Sequence, residues 1–248
     1  MKITSVNNEL VKDAAKLLRG KYRDEKGLFL IEGEKGVEEA MAAGVELERI
    51  FVLEGKTNFL GDNIIETTEA VLSKISDAKS APKVVAVAKQ PKYNIDNFRN
   101  FNKVVLLEGI KDAGNLGTII RTACAFGFDG IVLYGETIDL YNPKCVRSTV
   151  GNLWKIPVVK INNKAELETH FSNHERIATL PKGDNVVNLN DYIQKERVLV
   201  MFGSEADGLS DDLKNFASKN VTIEMSENVE SLNLSVSAAI LMYKLMKK

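Results

Sequence analysis

Three polar stretches of this 248-residue sequence, two of them containing glycine, each lie where a strand should end. The first runs from Glu108 to Gly117 and carries Asn115, with Arg121 four residues further on. The second is Gly203-Ser204-Glu205-Ala206-Asp207-Gly208, and the third runs from Glu224 to Asn233, ending Glu230-Ser231-Leu232-Asn233. Together they offer amides, a hydroxyl, a carboxylate and a guanidinium. Such groups orient a substrate by hydrogen bonds, and a guanidinium can fork a phosphate. A metal site is not expected, because Cys124 and Cys145 form no C-x-x-C pair and are not joined by clustered histidines. Neither glycine stretch is a nucleotide fingerprint. G-x-G-x-x-G does not follow the first strand of the second half, and G-x-x-x-x-G-K-[ST] is absent, which weakens a dinucleotide-enzyme or P-loop reading.

The elements that must position these stretches are legible from residue 103 onward. Strands are predicted at Val104–Leu107, Gly130–Leu133, Pro157–Val159, Ile177–Leu180, Val198–Phe202 and Val221–Ile223. Helices are predicted at Asn115–Phe126, Lys164–Phe171, Asp211–Phe216 and Leu232–Met246. Their alternation predicts an α/β fold with a mainly parallel sheet covered on both faces. Ligands of such sheets bind beyond the carboxyl ends of the strands, where all three polar stretches fall.

Residues 1–90 predict a smaller α/β domain. Val6, Leu10, Ala14, Leu17 and Leu18 recur at helical spacing, with Gly20 as the expected stop. Strands are expected at Gly27–Gly33, Ile50–Leu53, Ile64–Glu66 and Lys83–Ala88, and helices at Lys35–Ala43 and Thr68–Asp77. Residues 91–102, opening Pro91-Lys92-Tyr93-Asn94, are the expected linker.

Composition limits the function only loosely. Hydrophobic residues make up 44% and charged residues 27%, the balance of a globular protein. No apolar run is long enough to cross a bilayer and the N-terminus lacks a signal-peptide core, so no membrane partner and a cytoplasmic location are expected. The net charge of −1 does not advertise nucleic-acid binding, although a local basic patch is compatible with it.

Read in order, the three stretches resemble the motifs of the SpoU branch of the SPOUT methyltransferases. The first, Asp112-Ala113-Gly114-Asn115-Leu116-Gly117 followed by Arg121-Thr122-Ala123, has Ala113 where the family usually has proline. The second is Gly203-Ser204-Glu205-Ala206-Asp207-Gly208. The third, Ile223-Glu224-Met225 followed by Ser231-Leu232-Asn233-Leu234-Ser235, has Glu224 where the family commonly has proline. Residues 1–90 more loosely resemble a ribosomal-protein-like RNA-binding domain, through Arg23, Phe29, Glu32-Gly33 and the helix that follows.

The resemblance implies a domain at 103–248 with a C-terminal deep trefoil knot, a homodimer formed through it, and S-adenosylmethionine as cofactor. It implies methylation of a ribose 2′-hydroxyl in structured RNA, with 23S ribosomal RNA favoured and transfer RNA as the alternative. Asn115, Arg121, Glu205, Ser231 and Asn233 are then the catalytic candidates, and Thr179, Leu180, Phe202, Gly203, Ile223, Met225 and Leu232 the cofactor contacts. Gly203 would let the backbone approach the ligand. A guanidinium stays charged in proteins, so Arg121 is better cast as a phosphate fork than as a base. The RNA-binding candidates are Lys16, Arg19, Lys21 and Arg23, within a run from Lys12 to Lys26 that Asp13, Asp24 and Glu25 interrupt.

Plainer readings stand beside these. Arg121 could be a surface arginine beside the apolar stripe of its helix, Ser231 could cap the last helix, and the basic run could be a solvated face. His170 and His174 are expected at the surface, and Cys124 as a small buried hydrophobe. A knotted RNA-binding or ribosome-assembly protein without catalysis is the rival from another class. A nucleotide enzyme binding NAD is a third.

Overall fold

The computed structural model describes residues 1–55, 59, 61–183 and 185–246, which divide into two units, each built around its own sheet. Met1–Lys92 and Asp139–Lys155 form one unit, Tyr93–Ile138 and Ile156–Lys248 the other.

In the first unit the elements are β1 (Lys2–Ile3), α1 (Glu9–Lys16), α2 (Gly20–Lys26), β2 (Leu28–Glu32), α3 (Glu34–Ala42), β3 (Leu47–Leu53), β4 (Ile64–Thr67), α4 (Glu69–Lys74) and β5 (Val84–Lys89). The sheet order is β1-β4-β3-β5-β2, with β5 antiparallel to both neighbours and β4 parallel to both of its own. Asn8 and Thr68 cap α1 and α4 by accepting from the Leu10 and Val71 amides. Val11, Ala14 and Leu17 pack on Leu30, Phe51, Val85 and Val87 to make the core. Gly20 does not stop the first helix as expected. It opens α2, and Gly27, at φ +62°, is the glycine that ends it in the left-handed conformation. Phe29 is fully buried and lies 4.7 Å, ring to ring, from Tyr141.

Arg23 is only 3% exposed. Its Nε donates to Asp139 at 2.6 Å and its Nη1 to the Leu17 carbonyl at 2.7 Å. The expectation that Arg23 faces RNA is therefore corrected: a buried guanidinium held by the half-buried Asp139 carboxylate is not presented to a phosphate. Residues 139–155, expected within the C-terminal domain, group with this unit, where Arg147 also donates to Glu32 at 2.6 Å.

The second unit opens with a 3-10 turn, Ile95–Asn100, inside the expected linker. Its Phe98 is fully buried in this unit's core, so 91–102 is not a solvated connection throughout. There follow β6 (Lys103–Glu108), α5 (Ala113–Ala125) and β7 (Gly130–Tyr134). The chain then gives Asp139–Lys155, with α6 (Pro143–Ser148), to the first unit. It continues as β8 (Val158–Ile161), α7 (Lys164–Phe171), β9 (Glu175–Thr179), β10 (Val187–Asn188), β11 (Val198–Phe202), α8 (Asp211–Phe216), β12 (Lys219–Thr222) and α9 (Leu234–Lys244). All described pairings in this sheet are parallel, in the order β10-β12-β9-β11-β6-β7-β8. Every residue of β11 is buried, as a central strand covered on both faces requires. From β6 the chain steps outward to β8, then returns to the other side, so the order reverses next to β6 and β11. Such a reversal opens a crevice at the carboxyl ends of the strands.

His170 and His174 are not surface residues. They are 9% and 3% exposed. Nε2 of His174 meets the Phe101 carbonyl at 2.8 Å, so it carries the proton, and burial pushes this ring below the ordinary histidine range. Cys124 is half-buried rather than fully buried. Lys103, itself buried, donates to the Leu245 carbonyl and fastens the end of α9 to the start of β6.

Ala113 is the first residue of α5, preceded by the capping residue Asp112, whose carboxylate accepts from the Asn115 amide at 2.8 Å. Proline suits that first position. Ala113→Pro should therefore raise the melting temperature by about 1–4 °C. Scanning calorimetry checks this, and a fall would mean that the Ala113 amide is needed for a hydrogen bond.

Candidate active site

A cleft of about 500 Å³ lies at the carboxyl ends of β9, β11 and β12. The structure places Thr179, Leu180, Phe202, Gly203, Ile223, Met225 and Leu232 on its walls, together with Glu205, Ser231 and Asn233. Three parts of the wall directly continue strands β9, β11 and β12, and the fourth, Glu230 to Ser237, leads into α9. Buried side chains set those strands, and Thr179 is held in addition by donating its hydroxyl to the Met201 carbonyl at 2.9 Å.

Gly203 is required here by the path of the chain itself. A Cβ at this position would lie 1.9 Å from the Gly208 carbonyl carbon and 2.1 Å from the Leu209 nitrogen. The close approach is therefore between two parts of the chain. Residues 204–208 fold back tightly, with the Ser204 amide donating to the Gly208 carbonyl at 3.2 Å and the reverse bond at 3.1 Å. Gly208 makes that turn at φ +67°. The turn carries Glu205 at its exposed tip.

From that tip a chain of hydrogen bonds joins the three polar stretches. Asn115 Nδ2 donates to Glu205 Oε1 at 2.8 Å, and Asn233 Nδ2 donates to Asn115 Oδ1 at 3.1 Å. Asn233 Oδ1 accepts from the Ser235 amide at 2.9 Å and from its hydroxyl at 2.6 Å. Asn233, not Ser231, is thus the N-cap of α9. Ser231 sits exposed at the cleft wall instead, two residues before the cap.

Arg121 is not brought to this group. It lies on α5, exposed, off the cleft wall, and makes no hydrogen bond or ion pair among the described residues. Lys16, Arg19 and Lys21 are exposed residues of the first unit, and Lys16 is paired with Asp13 at 2.8 Å.

Sequence reasoning missed the role of Glu224. Its carboxylate accepts from Asn188 Nδ2 at 2.9 Å, fastening the segment between Ile223 and Met225 to β10. Strand β10 pairs through only two residues, Val187 and Asn188, too few for a periodic signal. Pro181 and Ser237, also on the wall, had no motif to mark them as cofactor contacts.

The lining selects among ligands. Among the described residues the cleft wall carries two carboxylates, Glu205 and Glu230, and no lysine or arginine. A pyrophosphate would meet uncompensated negative charge there, whereas a cation is favoured. The apolar faces of Leu180, Phe202, Ile223 and Leu232 suit a flat aromatic ring. An adenosyl group bearing a sulfonium fits this donor set, and NAD does not.

Fold and site together describe an α/β protein whose second unit carries a cation-tolerant cleft at the ends of parallel strands. Residues 102–243 match the model of the SpoU rRNA Methylase family, and residues 8–86 match that of the MRM3-like substrate binding domain. The chain belongs to the SpoU rRNA methylase family. It is 32% identical to the 23S rRNA (guanosine(2553)-2'-O)-methyltransferase RlmP of Bacillus subtilis, over 98% of each chain. Among solved structures it is similar to the AdoMet-bound rRNA methyltransferase of Sinorhizobium meliloti, with TM-score 0.88 and 29% identity over 98% of this chain and 96% of that one. It is also similar to the SpoU methyltransferase AviRb of Streptomyces viridochromogenes in complex with AdoMet, with TM-score 0.85 and 25% identity over 96% and 97%.

Asn233→Asp separates capping from the hydrogen-bond chain. Aspartate caps as well as asparagine, but it loses the Nδ2 donor and turns an oxygen toward Asn115 Oδ1. The expected outcome is a melting temperature within about 2 °C of wild type and a kcat at least about tenfold lower, from one lost hydrogen bond and one repulsive contact. Retained kcat in a methyl-transfer assay would show that the chain of bonds is not needed.

Proposed function

We propose that this protein is an S-adenosylmethionine-dependent RNA 2′-O-ribose methyltransferase acting on 23S ribosomal RNA. The observation that carries the proposal is the Glu205–Asn115–Asn233 chain at the edge of a cleft that, among the described residues, is lined by carboxylates and no cations. Thr179, Leu180, Phe202, Gly203, Ile223, Met225 and Leu232 hold the cofactor. When bound, it supplies an electrophilic methyl group on a sulfonium. The protein's share of the work is then alignment and the handling of one proton. Asn115 is fixed at both ends of its amide, and Glu205 and Asn233 are fixed through it, so the polar groups facing the ribose are set before RNA arrives. Ser231, exposed at the wall, is positioned to hydrogen-bond the 2′-hydroxyl.

Ribosomal rather than transfer RNA is favoured by the first unit, whose residues 8–86 match a substrate-binding model and which supplies a second surface for a large RNA. The fold reading includes the C-terminal trefoil knot that family membership implies. It also includes a homodimer, supported by Val236, Ile240 and Tyr243, which stand exposed at i, i+4 and i+7 on α9. Arg121, on the helix that packs against α9, serves at that dimer face as the fork that holds an RNA phosphate. The location is cytoplasmic. Among the described residues no helix is long and apolar enough to cross a membrane.

The test is transfer of radiolabelled methyl from S-adenosylmethionine to unmodified 23S and transfer RNA, supplied separately. Label in 23S RNA within an alkali-resistant dinucleotide is expected. Label in transfer RNA alone would overturn the ribosomal preference, and cofactor binding without label in either RNA or in ribosomal particles would favour the non-catalytic rival. Arg121→Ala should lower kcat/KM by about 100-fold, the scale of a misplaced substrate, with cofactor affinity unchanged. Tyr243→Glu should convert the dimer to a monomer in sedimentation, and a monomeric wild type would refute the dimer.

A further inference from the structure

The first unit contains a cleft of its own, about 330 Å³, which methyl transfer gives no task. Its floor is apolar, made by Leu28 and Val87 on adjacent strands β2 and β5, with Leu17 of the first helical segment beside them. Half-buried Tyr22 of α2 forms a wall. Around the rim stand three cations, Lys16, Lys26 and Arg49. Arg49 lies opposite Val87, next to the β-bulge where the pairing of β3 with β5 shifts register.

These cations are not locked away. Lys26 approaches Glu25 only to 3.6 Å and Arg49 approaches Glu48 only to 3.9 Å, and the side chains are 59% and 32% exposed. The Lys26 pair is long and exposed and the Arg49 pair is long though half-buried, so neither holds its cation in a close hydrogen bond and a phosphate can compete for both. Lys16 is held more closely, at 2.8 Å, by Asp13, which borders the cleft as Glu25 does, so three cations face two carboxylates there. The hydrogen bond from Lys16 keeps the Asp13 carboxyl below the usual carboxylate range, so it is an ionised acceptor. An aromatic wall, an apolar floor, a carboxylate acceptor and loosely held cations are the parts by which proteins take an unstacked base and its backbone. A carboxylate accepts from the N–H edge of a base.

We propose that this cleft binds one unstacked nucleobase from a single-stranded part of the RNA substrate. The base stacks on Tyr22 with its N–H edge toward Asp13, and the adjoining phosphate lies on Lys26 and Arg49. The site rests on the reading of the substrate as RNA, and it deepens that reading by giving the first unit a contact that senses single-stranded structure. The surface overlaps the run expected from sequence only in part: it keeps Lys16 and Lys26, leaves out Arg19, Lys21 and the interior Arg23, and adds Arg49 from a distant strand.

The experiment compares the full-length protein with Tyr22→Ala, Tyr22→Phe and Lys26→Gln. Each is measured for binding to a 23S RNA transcript, to assembled ribosomal particles and to a short single-stranded oligoribonucleotide over a range of salt, and for steady-state methyl transfer. Tyr22→Ala is expected to weaken binding about tenfold and to raise the KM for RNA without lowering kcat, while Tyr22→Phe retains the wild-type values. Lys26→Gln should reduce the slope of log K against log salt by about 1, a signature that a merely structural role would not move. Cofactor affinity should be unchanged in all three. The proposal is overturned if Tyr22→Ala and Lys26→Gln both bind RNA within twofold of wild type, or if Tyr22→Phe fails to rescue. It is overturned equally if Tyr22→Ala is impaired only on assembled ribosomal particles and not on naked RNA, since the cleft then docks protein. Should the wild type methylate no RNA, the enzymatic reading fails separately. The oligoribonucleotide still decides the cleft: Tyr22-dependent binding sustains it, and no binding refutes it.

Discussion

Asn115 gives one hydrogen bond to Glu205 and takes one from Asn233, and through it three loops from distant parts of the chain share one set of coordinates. An amide is suited to this because it donates at one end and accepts at the other, so neither partner can be exchanged without loss. Asn233 carries a second duty as the cap of α9, which ties the direction of the last helix to the position of Asn115. A displacement of α9, of the Ser204–Gly208 turn or of the start of α5 would therefore reach the same few atoms.

That arrangement is possible only because the sheet behind it does not yield. β11 is buried along its whole length between β6 and β9, and it delivers Phe202 and Gly203 to the cleft floor. The following turn closes so tightly that the space a Cβ would need at 203 is filled by Gly208 and Leu209. Glycine there serves the compactness of the turn, which in turn aims Glu205. The departure at Glu224 belongs to the same logic. Where a proline would stiffen the backbone through its ring, this chain ties the segment down from outside, with a carboxylate held by Asn188.

The first unit is organised by different means. Its mixed sheet buries Phe29, Phe51 and Leu30, and its interior ion pair, Arg23 with Asp139, enlists a segment more than a hundred residues away in the sequence. A buried guanidinium demands such a partner, since leaving it unpaired would cost several kcal/mol. The residues that remain exposed around Tyr22 are consequently those not consumed in holding the unit together.

Much of the second unit was readable from local pattern. Runs such as Val104–Leu107 and Val198–Phe202 are apolar at every position, and a strand buried on both faces has no other way to be written. The polar stretches after those strands announced a site because nothing in a core would tolerate them. Local pattern failed where the deciding force came from elsewhere in the chain. Gly20 reads as a helix stop, but a second helix begins on it. The polar opening of residues 91–102 reads as a linker, yet Phe98 is drawn into a core assembled from later strands. His170, His174 and Arg23 read as surface groups, and each is taken inside by a partner that spacing cannot foresee: Asp96, the Phe101 carbonyl and Asp139. Residue types and their order therefore defined the strands, the loops and the chemistry those loops could offer. Tertiary structure alone decided which of the candidate groups meet, because a hydrogen bond of 2.8 Å between residues ninety positions apart is a property of packed elements and not of neighbouring residues.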